Sequence, residues 1–184
     1  GKFSFFGMGG KSNIDFIGQE IDTTDFYSRK DQDSYFSNRL LMFGAKHSID
    51  LGKKTYWRTV VSYSNTKSDF ETYQYALPVP PYGTAWKVTD VLDQQDVIRF
   101  NSLLNSKTSV KFSWRAGLTG ESSGLDTRVT DRQGQNSTAP FNLVRDFDDR
   151  FLLLQLFGQF RYKPSSKLTL IGGVHGMNFS FNQS

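Results

Sequence analysis

The chain alternates. From Leu152 to Tyr162 one set of positions reads Leu152, Leu154, Leu156, Gly158, Phe160, Tyr162, and the other reads Leu153, Gln155, Phe157, Gln159, Arg161. Successive strand side chains point to opposite sheet faces, so this run predicts a strand with one apolar face and one that turns polar. The cleanest repeat is Val110 to Thr119: Val110, Phe112, Trp114, Ala116 and Leu118 alternate with Lys111, Ser113, Arg115, Gly117 and Thr119. Five more segments follow the same rule, giving seven predicted strands: Lys2 to Gly9, Tyr35 to Ile49, Thr55 to Tyr73, Asp96 to Asn105, Val110 to Thr119, Arg150 to Tyr162 and Leu168 to Phe181.

The predicted connections alternate in length. Short ones fall at 50–53, 106–108 and 163–167, and Gly52 in the first suits a positive φ. Long ones fall at 10–33, 76–90 and 122–149; Pro78, Pro80, Pro81 and Gly83 keep the second out of a central strand. Short turns at one end and wide polar loops at the other are the habit of an up-and-down transmembrane β-barrel of the bacterial outer membrane. A soluble β-sandwich also alternates, but has no reason to gather its long loops at one end. Seven strands do not make a complete bacterial single-chain barrel, which has an even number. The expectation is therefore an all-β, antiparallel barrel segment, with residues 1–184 forming part of one outer-membrane barrel domain that strands outside this chain complete.

Composition fits. Only 37 % of residues are apolar, whereas 15 % are aromatic, with 17 Phe and 8 Tyr. A barrel needs only a thin apolar band with aromatic girdles around a polar interior. No run approaches the ~18 consecutive apolar residues of a membrane-spanning helix, but a barrel strand needs only ~9–11 alternating ones. No export signal is visible, and the chain opens within a strand-like run; it reads as an interior segment of a longer protein. The absence of cysteine rules out disulfides and thiolate chemistry. The net charge of +4 is dispersed rather than clustered, which argues against a nucleic-acid partner.

Three longer stretches resemble a known family. They are Phe5-Phe6-Gly7-Met8-Gly9-Gly10-Lys11-Ser12-Asn13-Ile14-Asp15-Phe16-Ile17-Gly18, then Lys46-His47-Ser48-Ile49-Asp50-Leu51-Gly52 with Tyr56-Trp57-Arg58-Thr59-Val60-Val61-Ser62-Tyr63-Ser64, and Leu168-Thr169-Leu170-Ile171-Gly172-Gly173-Val174-His175-Gly176. They resemble barrel segments of the large TonB-dependent outer-membrane receptors of Bacteroidetes, of the SusC-like type that often carries a carboxypeptidase-regulatory-like domain. The resemblance implies a barrel of about 22 strands, of which this chain is roughly a third. It also implies solute uptake energised by TonB through a plug that this chain does not include. Partners in that family are outer-membrane lipid, TonB and, in some members, a SusD-like surface lipoprotein. Two other roles stay open: a structural barrel subunit of an outer-membrane export or assembly complex, and a soluble β-sandwich binding module. The sandwich predicts that Val110, Phe112, Trp114, Ala116 and Leu118 are covered by a second sheet.

Candidate sites follow from the faces. Arg58, Arg99, Lys111, Arg115, Gln155, Gln159, Arg161 and His175 are candidate lumen-facing residues, lining a hydrogen-bonding, basic wall; generic hydration and plug packing are the competing reading. Trp57, Phe112, Trp114, Phe160 and Tyr162 are candidate membrane-interface aromatics, since amphipathic rings favour the headgroup region. Asp146, Asp148 and Asp149 are expected in one loop and Asp22, Asp25, Asp31 and Asp33 in another, as solvated charge, because neither run has the spacing and glycine of a calcium loop. His47 and His175 lack companions for a zinc site. Gly120-Glu121-Ser122-Ser123-Gly124 is not a nucleophile elbow, and Gly7-Met8-Gly9-Gly10-Lys11-Ser12 lacks the spacing of a P-loop. Asn136-Ser137-Thr138 is a formal glycosylation triplet, uninformative in a bacterial protein. No enzyme activity, cofactor or metal is expected.

Overall fold

The computed structural model describes residues 1–21, 24, 29–77, 81, 83–132 and 138–181. Seven strands follow one another: β1 (Lys2–Phe16), β2 (Gln32–Asp50), β3 (Thr55–Tyr75), β4 (Ala85–Ser106), β5 (Phe112–Asp131), β6 (Asn142–Tyr162) and β7 (Leu170–Phe181). They form one antiparallel sheet in sequence order, each strand paired with the next. A short 3-10 turn, Gly18–Glu20, follows β1. Among the described residues there is no second sheet, so the belt from Phe112 to Leu118 is not covered as a sandwich requires. No described helix is long and apolar enough to cross a membrane, which has no bearing on strands.

All seven predicted strands exist, but the ladder runs much further toward the long loops. β1 continues from Gly9 to Phe16, β4 begins at Ala85 instead of Asp96, β5 runs to Asp131 instead of Thr119, and β6 begins at Asn142 instead of Arg150. The expected loops 10–33, 76–90 and 122–149 shrink to 17–31, 76–84 and 132–141. The short turns lie at 51–54, 107–111 and 163–169, so Val110 and Leu168 belong to turns. Long and short connections still alternate, but the contrast is shallower. The added rungs carry polar side chains on both faces and only isolated apolar ones such as Ile14, Val91 and Val129, so apolar alternation did not mark them. Cross-strand polar pairs hold them instead: Thr89 donates to Asp131 (3.2 Å) and Thr127 to Asp93 (2.9 Å).

Gly52 takes φ +121° in the first short turn, as expected. Pro78 and Pro80 lie outside the described residues; Pro81 and Gly83 lie in the 76–84 connection, where Gly83 takes φ +74°. The register shifts at Thr72/Tyr73 and Val129/Thr130, both near the long-loop ends, where bulges terminate or re-aim pairing.

Three phenylalanines lie over glycines directly opposite them on the neighbouring strand: Phe6 on Gly44, Phe157 on Gly117 and Phe160 on Gly172. At Gly44 a Cβ would come within 2.6 Å of the Val61 carbonyl oxygen and 2.9 Å of Ser62 Cβ as well as meeting the Phe6 ring. Gly10, on the same hairpin, has open space where a Cβ would go. Gly44→Ala is therefore expected to lower stability by about 1–3 kcal/mol, as overpacking does, while Gly10→Ala costs little. Urea midpoints of the two variants, compared with the parent at constant slope, check this.

Candidate functional site

Residues directly opposite one another on antiparallel strands share a face. The register therefore sorts every strand side chain onto the face of Trp57 or the face of Arg58. Trp57, Phe112, Trp114, Phe160 and Tyr162 all fall on the Trp57 face, close to the short turns. Phe112 opposes Tyr162 and Trp114 opposes Phe160, and the Phe112 and Phe160 rings stack at 6.4 Å. Trp57 Nε1 donates to Ser102 Oγ at 2.7 Å, so the indole keeps its polar bond within an apolar row.

Within β2 to β6 the exposed large apolar side chains concentrate on that face: Leu41, Phe43, Trp57, Val61, Ile98, Phe100, Leu152, Leu154, Leu156, Phe160 and Tyr162. Tyr56, beside the 51–54 turn, is the exception on the Arg58 face, and Leu143 and Val144 lie beyond the belt at the far end of β6. The belt ends sharply. In the next row Asp96, Gly124 and Arg150 lie in register across three strands. Arg150 Nη2 meets Asp96 Oδ2 at 2.8 Å over Gly124, where a Cβ would collide with both. The glycine clears the path for an ion pair that spans a strand.

Arg58, Arg99, Arg115, Gln155, Gln159, Arg161 and His175 share the opposite face. Lys111 sits in the 107–111 turn, not on a strand, and lines a 280 Å³ pocket with Arg161 and Lys163. An adjoining 220 Å³ pocket holds Asn105, Arg115, Gln159 and Arg161. Arg115 Nε donates to Gln159 Oε1 (2.6 Å). Arg99 is neutralised by Glu121 at 2.7 Å. Arg58 Nε is buried with no hydrogen-bond partner in reach. The surplus positive charge on this face thus gathers at the short-turn end, around Arg58, Arg115 and Arg161.

Sequence reasoning missed two features near the long loops. On the Arg58 face Ile14, Phe36, Phe70, Val91 and Val129 form one row across five strands. Phe36 stacks on Phe70 at 4.4 Å and meets Phe16 edge-on at 5.8 Å. On the Trp57 face, Asp33 is a buried hub, 5 % exposed rather than solvated. It accepts from the Gly18 amide (2.8 Å) and the Tyr75 hydroxyl (2.6 Å), with the Tyr35 hydroxyl at 3.5 Å. The i, i+2 spacing of Asp33–Tyr35 and Tyr73–Tyr75 was the available signal, once both segments are read as strand. Asp31 stays in the loop, where it pairs with Arg29 (3.1 Å) and accepts from Gln74 Nε2 (2.6 Å).

These bonds move proton affinities. The hydrogen bond from Arg29 holds the Asp31 carboxyl below its ordinary 3.8. The bond to Asp33 raises the Tyr75 phenol above 10, and desolvation does the same at Tyr35 and Tyr73, so all three remain hydroxyl donors at neutral pH. Lys87 bridges Glu71 (2.7 Å) and Asp90 (3.1 Å) beside this cluster.

The other acidic run is also re-placed: Asp146, Asp148 and Asp149 lie on β6, not in a loop. Asp22 and Asp25 lie outside the described residues, as do Asn136 and Ser137. His47 stacks on Phe3 at 4.4 Å on the Trp57 face, away from His175. Among the described residues no three His, Cys, Asp or Glu side chains are grouped to hold a metal. Gly10-Lys11-Ser12 runs through β1 and Gly120 to Gly124 through β5, so neither is a loop opening a helix. A scan against models of protein families finds no match, and a search of curated proteins finds none either.

Asp33→Ala strands three donors and is expected to release the 17–31 loop, at a cost of about 1–3 kcal/mol from the buried donors left unmade. Limited proteolysis should then cut within 17–31 much faster than in the parent. The Asp31 tether has an acid limit. Its folded pKa is depressed, so its stabilisation is present above about pH 4 and is lost as pH falls through the folded value. The Tyr75 amide, which donates to the Asp31 carbonyl (2.9 Å), should lose hydrogen-exchange protection below that pH, and Asp31→Asn should abolish the step.

Proposed function

We propose that this sheet is part of the wall of a bacterial outer-membrane β-barrel, with the Trp57 face toward lipid and the Arg58 face toward the lumen. The observation that carries this is the exposed apolar belt, which crosses the strands at one height, carries aromatics at its short-turn rim and ends at a row of charge. On β6 it runs from Leu152 to Tyr162. Eleven residues make roughly 34 Å of strand, or about 24 Å of height at a tilt near 45°, matching the apolar band of such barrels. A soluble protein rarely leaves so wide an apolar patch uncovered. The most buried mid-strand side chains, Val97 and Ser123, are on the Arg58 face, as crowding on a concave side would produce.

β1 and β7 each pair on one side only. In lipid their free edges would leave backbone groups unsatisfied at several kcal/mol each. We therefore take both edges to be paired with further strands of the same barrel. The uptake role of a TonB-dependent receptor belongs to the same proposal and rests on the resemblance given above. In that role the wall does no bond chemistry. It encloses a plug, to which the basic end of the Arg58 face is offered, while the loops at 17–31, 76–84 and 132–141 receive solute outside.

These 184 residues contain no cysteine, so in the whole barrel, with any cysteine elsewhere replaced, single substitutions report on this wall alone. Leu156→Cys and Gln155→Cys, neighbours on opposite faces, are labelled with an environment-sensitive fluorophore in vesicles containing brominated lipid. The proposal expects strong quenching at 156 and little at 155. Equal access of both to an impermeant aqueous thiol reagent would overturn it.

A further inference from the structure

On the Trp57 face, one row above the last apolar positions, Lys11, Arg39 and Lys67 stand directly opposite one another on β1, β2 and β3. Like charges directly opposite on a sheet repel and destabilise it. Only Lys67 has a carboxylate, Asp69 at 3.1 Å; among the described residues Lys11 and Arg39 are in no ion pair. The adjoining rows on these strands, Gly9, Leu41 and Asn65 below and Asn13, Ser37 and Asp69 above, add no other charge. Three cations thus face a single anion.

Directly below, the same three strands form an apolar groove of 600 Å³ lined on this face by Phe5, Phe43, Ala45, Val61 and Tyr63, with Ile98 from β4. Arg39 and Phe43 are four residues apart, roughly 13 Å along the strand. Cations above and an apolar groove below, in line on one face, match a phosphorylated headgroup joined to acyl chains. Guanidinium and ammonium groups bind phosphate strongly when neighbouring bulk water is displaced.

We propose that Lys11, Arg39 and Lys67 bind the phosphate groups of an anionic lipid in the leaflet at the long-loop end, with its acyl chains in the Phe43–Tyr63 groove. This rests on the membrane reading of the Trp57 face. It adds a specific lipid site to what would otherwise be a uniform belt, and it places that site between the first two hairpins.

The test uses the full-length protein that contains this chain, purified in detergent, with lipid retention read by native mass spectrometry. The probe is a bisphosphorylated, acylated disaccharide lipid, compared with the same lipid after dephosphorylation. Wild type is expected to keep the phosphorylated form at least tenfold more tightly than the dephosphorylated one. The Lys11→Gln/Arg39→Gln/Lys67→Gln variant should lose that preference. Removing equal charge at the short-turn end, with Lys53→Gln/Lys107→Gln/Lys167→Gln, should leave it intact. If the triple variant does not reach the membrane, Lys11→Gln alone is expected to weaken retention about threefold. Complete displacement of the lipid by millimolar inorganic phosphate would overturn the lipid assignment. A normal detergent belt with equal retention by parent and variant would overturn the site and leave the membrane reading standing; a protein with no detergent belt would overturn both.

Discussion

Everything in this structure depends on an unbroken antiparallel register from β1 to β7. With no second layer among the described residues to hold the sheet, the ladder must satisfy the backbone unaided and must also decide which side chains share a face. A slip of one residue in any hairpin would carry that strand's apolar set to the other side. The hairpins are therefore pinned in several ways. Gly52 supplies a turn with positive φ. Phenylalanine rings close over facing glycines at Phe6–Gly44, Phe157–Gly117 and Phe160–Gly172, where a shifted register would bring a side chain into the ring. The Arg150–Asp96 pair reaches across β5 only because Gly124 lies between them, which ties three strands to one alignment.

What the sequence made legible follows the same logic. Where one face is apolar and the other polar, alternation names both the strand and its faces, which is why Trp57, Phe112, Trp114, Phe160 and Tyr162 share one face and Arg58, Arg99, Arg115 and Arg161 share the other. Lys111 fell away because its strand starts one residue later, at Phe112. The signal faded where polar side chains occupy both faces and apolar ones are isolated. Lys87 to Asp90, Ser122 to Asp131 and Arg145 to Asp149 read as loop because scattered apolar residues among charge, serine and threonine give no period of hydrophobicity. They are strand because their neighbours are strand, held by pairs such as Thr127–Asp93 and Lys87–Glu71. The buried Asp33 was hidden for a similar reason: its burial comes from Tyr75 and Gly18, both distant in sequence, and not from local pattern.

Chemistry along the strands is graded by height, and the gradient bears on which part of the wall could discriminate between solutes in the proposed receptor. The Arg58 face is basic near the short turns, hydrogen-bonded in mid-sheet through Arg99–Glu121, Asn101–Thr119 and Gln95–Ser123, and apolar near the long loops along Ile14, Phe36, Phe70, Val91 and Val129. The middle groups are already paired with each other, so binding a solute there means breaking bonds of comparable strength. The apolar row costs nothing to uncover and offers the stacked faces of Phe36 and Phe70. In the proposed receptor, discrimination by this part of the wall would belong near the long-loop end, where the Asp33 hub on the other face fixes the start of β2. The basic end, by contrast, is suited to holding something permanently. Arg58 carries a buried Nε with no partner, and an unsatisfied donor of that kind is costly unless a neighbouring body supplies the acceptor. A plug seated against the short-turn end would supply one if the Arg58 side chain swung out to meet it. The wall would then be divided by height into an anchoring half and a selecting half, with self-paired rungs between them to keep the two apart.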